Sequence, residues 1–293
     1  CDLICVSDTG MAAEDVPSLV TAMRGLIYFQ VDLRTAPADL HSGSFGGAVP
    51  NAVAELVALL AGLKDDAGRI AIGGWYDDVV ELTDEERANM AALPFDPEQL
   101  KAVTGVRALV GEEGYTPPER MSARPTADIN GVWGGFTGAG SKTIIPAEAH
   151  AKVSFRLVAD QEPARLEPLF ERWVRDRAPD HVEVAVRSFG GVKPALTPLE
   201  HPGNRAAARA VARAFGKEPL FYREGGSGPE RALSDALGAA CVYLGVMLPT
   251  DRIHAPNERL LLAQYYRGVR AAAYAFEEFA RPEVAAALRK PAG

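Results

Sequence analysis

A histidine on a glycine-containing loop is the first candidate for chemistry in this sequence. The loop, residues 39–47, reads DLHSGSFGG and lies between a predicted strand and a predicted helix. Its glycines let the backbone turn tightly and approach a ligand closely. A histidine held there, His41, can donate a hydrogen bond to an anionic group. The alternative is that His41 caps the following helix, and these residues alone leave both interpretations open.

The elements around this loop indicate an α+β unit. Apolar and polar residues alternate from Gly25 to Arg34, which is typical of a half-buried antiparallel strand. Helical spacing follows over 49–63, and a second helix is predicted to begin at Pro163. Further strands are predicted over 126–132, 151–157 and 181–186, and residues 65–125 should form short helices and loops. The order of strands and helices predicts a ferredoxin-like α+β sandwich.

A second unit is predicted from the two ends of the chain. A strand over 2–7 ends beside Asp8, at the edge of an α/β sheet where ligands and metals collect, although an isolated aspartate there also suits a cap or turn. The remaining predicted elements are a helix over 202–215, strands over 220–222 and 241–246, a turn over 224–228, and a long helix after Glu258 with Leu261, Tyr265, Val269, Ala273 and Phe276 on its apolar face. Residues 280–293 are expected to be a frayed tail.

We therefore expect an α/β protein with two domains. Residues 1–24 and 194–293 form one discontinuous domain, and residues 25–193 form an inserted domain. The crossing is placed at Arg24-Gly25.

Composition limits the class of protein. The net charge is −8 and no basic block occurs, so we expect no nucleic-acid partner. No apolar run reaches the length needed to cross a bilayer, and no signal-peptide pattern opens the chain, so no membrane partner is expected. The three cysteines lie in apolar, strand-like runs and are predicted to be reduced, buried thiols of a cytoplasmic protein.

The first residues, CDLICV, already read as the middle of a buried strand. Such a start leaves the strand without neighbours on one side. We expect that the beginning of the chain has been removed or lies elsewhere.

Five motifs occur in order between Asp8 and Glu258: DLHSGSFGG, GGFTGAGSKTIIP, SFRLVADQ, REGGSGP and HAPNE. Together they resemble the cocatalytic-zinc metallopeptidase family of carnosinases, non-specific dipeptidases, carboxypeptidases and aminoacylases. The likeness is strongest to its dipeptidase branch. The resemblance covers nearly the whole chain.

The resemblance implies two zinc ions that share a bridging water, which attacks the scissile carbonyl. It assigns Asp8 and His254 as metal ligands, although a lone histidine such as His254 is more often structural. Manganese would also suit such ligands. The resemblance implies that the family's other ligands, in a His-x-Asp motif, a bridging aspartate and paired glutamates, lie upstream of Cys1. No H-x-D segment occurs in this sequence.

The resemblance also implies the residues that handle substrate. His41 and Thr143 match a pair that the inserted lid domain places in the partner subunit's active site, where His41 stabilises the oxyanion. Arg156 matches the arginine that holds the substrate's C-terminal carboxylate, a task suited to its bidentate fork. Gly226 and Ser227 match a turn that contacts the same end. The alternatives are a strand-surface ion pair for Arg156 and a plain turn for Ser227.

Three functions remain open. The first is a zinc-dependent, homodimeric, dipeptidase-like enzyme that hydrolyses short peptides with a free C-terminal carboxylate. The second is a catalytically silent lid-and-dimerisation module, since this chain alone carries only two of the implied ligands. The third is an amide hydrolase, or deacylase, of the same family.

Overall fold

A computed structural model describes residues 1–289 and shows a mixed α/β fold, as predicted. The strands are β1 (Leu3–Val6), β2 (Ser18–Met23), β3 (Gly25–Arg34), β4 (Leu40–His41), β5 (Thr126–Gly134), β6 (Ile144–Ile145), β7 (Glu148–Leu157), β8 (Glu183–Val192), β9 (Ala195–Leu196), β10 (Leu220–Glu224) and β11 (Ala240–Tyr243). The helices are α1 (Ser42–Phe45), α2 (Ala52–Ala61), α3 (Asp84–Ala92), α4 (Pro97–Thr104), α5 (Pro117–Ser122), α6 (Pro163–Arg177), α7 (Pro202–Phe215), α8 (Glu230–Leu237), α9 (Leu262–Phe279) and α10 (Pro282–Leu288). None of these helices has the length and apolar composition that crossing a bilayer requires.

The largest sheet has four antiparallel strands in the order β5-β7-β3-β8. With α2 after β3 and α6 before β8, this is the predicted ferredoxin-like order. The alternation in β3 has the predicted consequence: Ile27, Phe29, Val31 and Leu33 are all at most 1% exposed. Burying each of these side chains stabilises the fold by about 1.5–3 kcal/mol.

Two helices cover one face of this sheet and leave the other open. Helix α2 starts at Ala52 because the Asn51 side chain accepts hydrogen bonds from the backbone N–H groups of Val53 and Ala54. Leucines of α2 and the aromatic face of α6 join the same core as β3. The opposite face of β3 and β7 carries polar side chains, including Arg156. The open face is therefore the side on which a ligand can reach the sheet.

The remaining strands form smaller sheets. Strands β1 and β11 pair in parallel, β10-β2-β9 form a three-stranded sheet, and β4 pairs with β6. The four-stranded sheet and the β4–β6 pair lie within residues 25–193. All strands of the other two sheets lie outside that range. The division into two domains at these boundaries stays a prediction.

The predicted apolar face of the last long helix is wrong. Tyr265, Val269 and Phe276 of α9 are at least half exposed, and the buried face instead carries Ala271 and Ala275. Small residues let α9 pack closely on the alanine-rich α7, and this close approach decides which face is buried. The buried carboxylate of α9, Glu278, is held by Arg209, Arg213 and Arg281.

Two smaller expectations also fail. Cys241 is buried, but Cys1 and Cys5 are exposed, although all three are free thiols. The expected frayed tail instead forms α10, with Val284 buried, while residues 290–293 lie outside the described part of the chain.

Candidate functional site

Two of the predicted substrate residues meet in the folded chain. Arg156 Nη1 donates a hydrogen bond of 2.8 Å to Ser227 Oγ. Arg156 lies on the open face of β7, opposite Leu26 of β3, and Ser227 lies in the turn after β10. The fold therefore joins two sequence motifs 71 residues apart. We call these two residues the Arg156–Ser227 pair.

The turn that carries Ser227 is tightly packed. A Cβ atom on Gly225 would lie 2.7 Å from the Met121 carbonyl oxygen and 3.3 Å from Nη2 of Arg24, so only glycine fits without movement. The Gly225 N–H donates to Glu224 Oε1 at 2.8 Å. The turn thus presents Ser227 from a fixed backbone.

Arg24 was identified from sequence only as part of the crossing between domains, and its contacts at this turn were missed. Its backbone N–H donates to Gly226 O, and its Nε donates to Gly225 O. Burial, followed by the charge of Arg156, lowers the pKa of Arg24 to about 10. A basic residue directly before Gly25, where the chain passes from one sheet to another, was the available sequence signal.

Strand β10, which leads into the turn, is anchored by a buried ion pair. Arg223 Nε donates to Glu86 Oε1 at 2.9 Å and Nη2 donates to Glu86 Oε2 at 3.0 Å, joining β10 to α3. Burial acts to raise the pKa of Glu86, but the hydrogen bonds and charge of Arg223, together with hydrogen bonds to Thr83, outweigh it, and the pKa is lowered.

The lowered pKa of Glu86 predicts a loss of stability in acid. A carboxyl group whose pKa is lower in the folded state stabilises the fold at pH values above its unfolded-state pKa, which is about 4.3. This contribution is lost as the pH falls through the folded-state pKa. Urea unfolding between pH 7 and pH 3 should therefore show a steeper decline for the wild type than for Glu86→Gln. The exposed neighbour Glu85, changed to glutamine, is the matched control and should keep the wild-type slope. Equal slopes for wild type and Glu86→Gln would contradict this role.

The other two predicted substrate residues, His41 and Thr143, also lie side by side. His41 pairs with Ile144 across the β4–β6 ladder, and the Ser42 N–H donates to the Thr143 carbonyl oxygen at 3.0 Å. His41 Nδ1 accepts a hydrogen bond of 3.2 Å from the Ser44 N–H, so the cap that was the alternative interpretation is present. In this arrangement a neutral His41 carries its proton on Nε2, and the exposed ring offers that N–H to a ligand.

Within one chain, Arg156 lies at one end of β3, and the chain leaves the other end of β3 toward the loop of His41. Arg156 stands opposite Leu26 at the start of β3, and Glu148 stands opposite Arg34 at its end, just before the loop of His41. Eight residues of strand at the usual rise separate the two ends by about 27 Å. Arg156 and the strand end that leads to the loop of His41 are therefore well separated along β3.

The predicted metal ligands both follow strands of the small parallel sheet. Asp8 follows β1 and His254 follows β11, and both side chains are exposed. His254 has a left-handed backbone, with φ of 60°. No hydrogen bond or ion pair joins the two residues in the described part of the chain.

Carboxylate and imidazole are suitable donors for zinc, but a structural or catalytic zinc site takes at least three protein ligands. Residues 1–289 contain no group of three or more His, Cys, Asp or Glu side chains placed to hold a metal ion. Asp8 and His254 therefore do not form a metal site by themselves.

Comparison with known proteins places this geometry in a family. Residues 21–182 match the profile of the peptidase dimerisation domain of M20 peptidases. The chain is 31% identical over 281 residues to a Cys-Gly metallodipeptidase of Saccharomyces cerevisiae, covering 92% of this chain and 57% of the relative. It is 29% identical over 284 residues to the Beta-Ala-His dipeptidase of Homo sapiens, covering 96% of this chain and 56% of the relative.

A solved structure agrees with these sequence matches. An M20-family metallo-carboxypeptidase from Sulfolobus solfataricus superposes with a TM-score of 0.80 at 29% identity, covering 95% of this chain and 64% of that one. The chain thus spans a little over half the length of the curated relatives that it matches. The family is one of metallopeptidases, which implies a divalent metal, commonly zinc. On its profile match, its relatives and its fold, the chain belongs to the M20 peptidase family, in the group of dipeptidases.

Proposed function

We propose that this chain is part of a zinc-dependent dipeptidase-like hydrolase. In this proposal it binds the free C-terminal carboxylate of a short peptide at the Arg156–Ser227 pair. The observation that carries the proposal is the 2.8 Å hydrogen bond between Arg156 Nη1 and Ser227 Oγ, on an open sheet face beside a rigid glycine turn. The relatives named as dipeptidases support the substrate class.

The side chains at this pair suit a carboxylate. The planar guanidinium of Arg156 presents parallel N–H donors that match two carboxylate oxygens. The Ser227 hydroxyl now accepts from Arg156, and it can rotate to donate to an incoming oxygen. The backbone N–H of Gly226 lies next to it in the turn. Together these donors fix the end of the peptide that is not cleaved.

The pair His41 and Thr143 serves the neighbouring subunit of a homodimer in this proposal. The length of β3 supports site sharing, because Arg156 lies at one end of this strand and the loop of His41 follows its other end, about 27 Å away. The matched dimerisation domain, residues 21–182, contains both His41 and Thr143. His41 Nε2–H donates to the oxyanion that develops on the scissile carbonyl.

Asp8 and His254 contribute two of the ligands of a two-zinc site in this proposal, with manganese as the other metal that suits them. Residues 1–289 contain no group of three such side chains placed to hold a metal ion, so in this proposal the remaining ligands come from elsewhere. Amide hydrolysis of a non-peptide substrate by the same site is the related alternative.

A second candidate function is a lid-and-dimerisation module without catalysis of its own. The observation in its favour is that residues 1–289 lack a group of three metal-ligating side chains. This candidate keeps the dimer and the carboxylate site but places all metal chemistry elsewhere.

Elemental analysis and a hydrolysis assay on one purified sample separate the two candidates. About two metal ions per chain together with hydrolysis of glycylglycine would support the enzyme. A dimer in light scattering that binds neither zinc nor manganese and leaves glycylglycine intact would support the silent module.

A further inference from the structure

Arg24 joins the two strands that pair with the elements carrying the Arg156–Ser227 pair, since β2 pairs with β10 and β3 pairs with β7. It lies between the last residue of β2 and the first residue of β3. Its backbone N–H donates to Gly226 O at 2.8 Å, and its side-chain Nε donates to Gly225 O at 2.9 Å. One residue therefore holds two consecutive carbonyl groups of the turn that presents Ser227.

Arg24 also acts on Arg156 through charge. Leu26, two residues after Arg24, is the strand partner of Arg156. Burial and then the charge of Arg156 lower the pKa of Arg24, while Asp128 and Glu224 act in the opposite direction. The two guanidinium groups thus repel each other in a partly buried place.

One donor of Arg24 is left unused. Nη1 is buried and has no hydrogen-bond partner among residues 1–289. Burying a charged donor without a partner is costly, and so is holding two like charges close together where water is scarce. A negative charge placed at the Arg156–Ser227 pair would offset the repulsion, whereas a neutral group would not.

We propose that Arg24 is a positioning residue for the peptide's C-terminal carboxylate. It fixes the Gly225–Ser227 turn against the start of β3, and it supplies a second positive charge that makes an ionised carboxylate, rather than a neutral amide, the preferred end group. This inference rests on the proposed function, because it takes the Arg156–Ser227 pair as the site of that carboxylate.

The test compares two probes that differ only in charge at this end, glycylglycine and glycylglycinamide. Dissociation constants are measured by NMR titration of the 293-residue chain and its variants. Arg24→Gln should weaken binding of glycylglycine about tenfold and change binding of the amide by less than about twofold. Arg24→Lys keeps the charge and should restore most of the preference for the carboxylate.

The matched control is Arg205→Gln, which removes an arginine that pairs with Glu85 away from this turn. It should leave both dissociation constants unchanged. If Arg24→Gln does not give a folded circular dichroism spectrum, Arg24→Lys becomes the deciding variant. A retained preference for glycylglycine over its amide supports the charge role, and loss of that preference in a folded protein contradicts it. Equal weakening of both probes by Arg24→Gln would reduce Arg24 to a structural residue and overturn the proposal.

Failure of the proposed function gives a different pattern. Wild-type protein that binds neither probe, or binds both equally, contradicts the carboxylate site and this inference with it. If Arg156→Ala abolishes the preference while Arg24→Gln leaves it intact, the carboxylate site stands and only the role of Arg24 is wrong.

Discussion

Replacing Arg156 with alanine is expected to weaken binding of glycylglycine about 100-fold. The change removes the fork that faces the carboxylate and leaves Ser227 without its 2.8 Å donor. Hydrogen bonds to charged groups contribute about 1.5–3 kcal/mol each, and about 1.4 kcal/mol corresponds to a tenfold change in affinity. Isothermal titration calorimetry or NMR titration measures the effect directly.

Two further variants sharpen the Arg156 prediction. Arg156→Lys keeps the charge but loses the planar fork, so its affinity should fall between wild type and Arg156→Ala. Arg187→Ala removes an exposed arginine from the neighbouring part of the same sheet and should have no effect. Unchanged affinity in Arg156→Ala, or equal losses for glycylglycine and its amide, would show that Arg156 does not hold the carboxylate.

Replacing His41 with alanine is expected to lower kcat about 100- to 1,000-fold in the metal-loaded, hydrolytically active dimer, with a smaller effect on KM. Removing one donor to a developing oxyanion has this cost in other hydrolases. His181→Ala is the matched control, because His181 is an exposed histidine paired with Glu55 elsewhere in the residues 21–182 that match the dimerisation domain. It should retain wild-type kcat.

Site sharing between subunits gives the His41 variant a second test. Co-expressed His41→Ala and Arg156→Ala chains form a mixed dimer in which one site combines an intact Arg156 with the partner's intact histidine. Random pairing of equal amounts should restore about a quarter of the wild-type sites. A mixture no more active than the average of the two parent variants would place His41 in its own subunit's site or outside the reaction.

Local patterns predicted most of the fold. The alternation of apolar and polar residues along β3 is a property of the strand itself, so it was visible before any partner strand was known. The last long helix shows the limit of such reasoning. Its large apolar residues suggested one buried face, but the close packing of alanines against α7 buries another, and that choice depends on a helix about 50 residues away in sequence.

The candidate site divides in the same way. Resemblance in sequence singled out His41, Thr143, Arg156 and Ser227, but the contacts within each pair depend on strand register and on the turn after β10. Arg24 was missed because its contacts are made to backbone carbonyls, which the residue types of the turn do not reveal, and its place directly before Gly25 was the available signal. Asp8 and His254 stay predictions, since a metal site is defined by the convergence of several side chains.

The most direct test of the account is an NMR titration of the wild-type chain with glycylglycine that follows the side-chain Nε–H resonance of Arg156, assigned by its loss in Arg156→Lys. We predict that this resonance shifts with glycylglycine and saturates, and that glycylglycinamide moves it far less. Binding of glycylglycine that shifts other resonances but leaves Arg156 unmoved would contradict the claim that this pair holds the peptide's carboxylate.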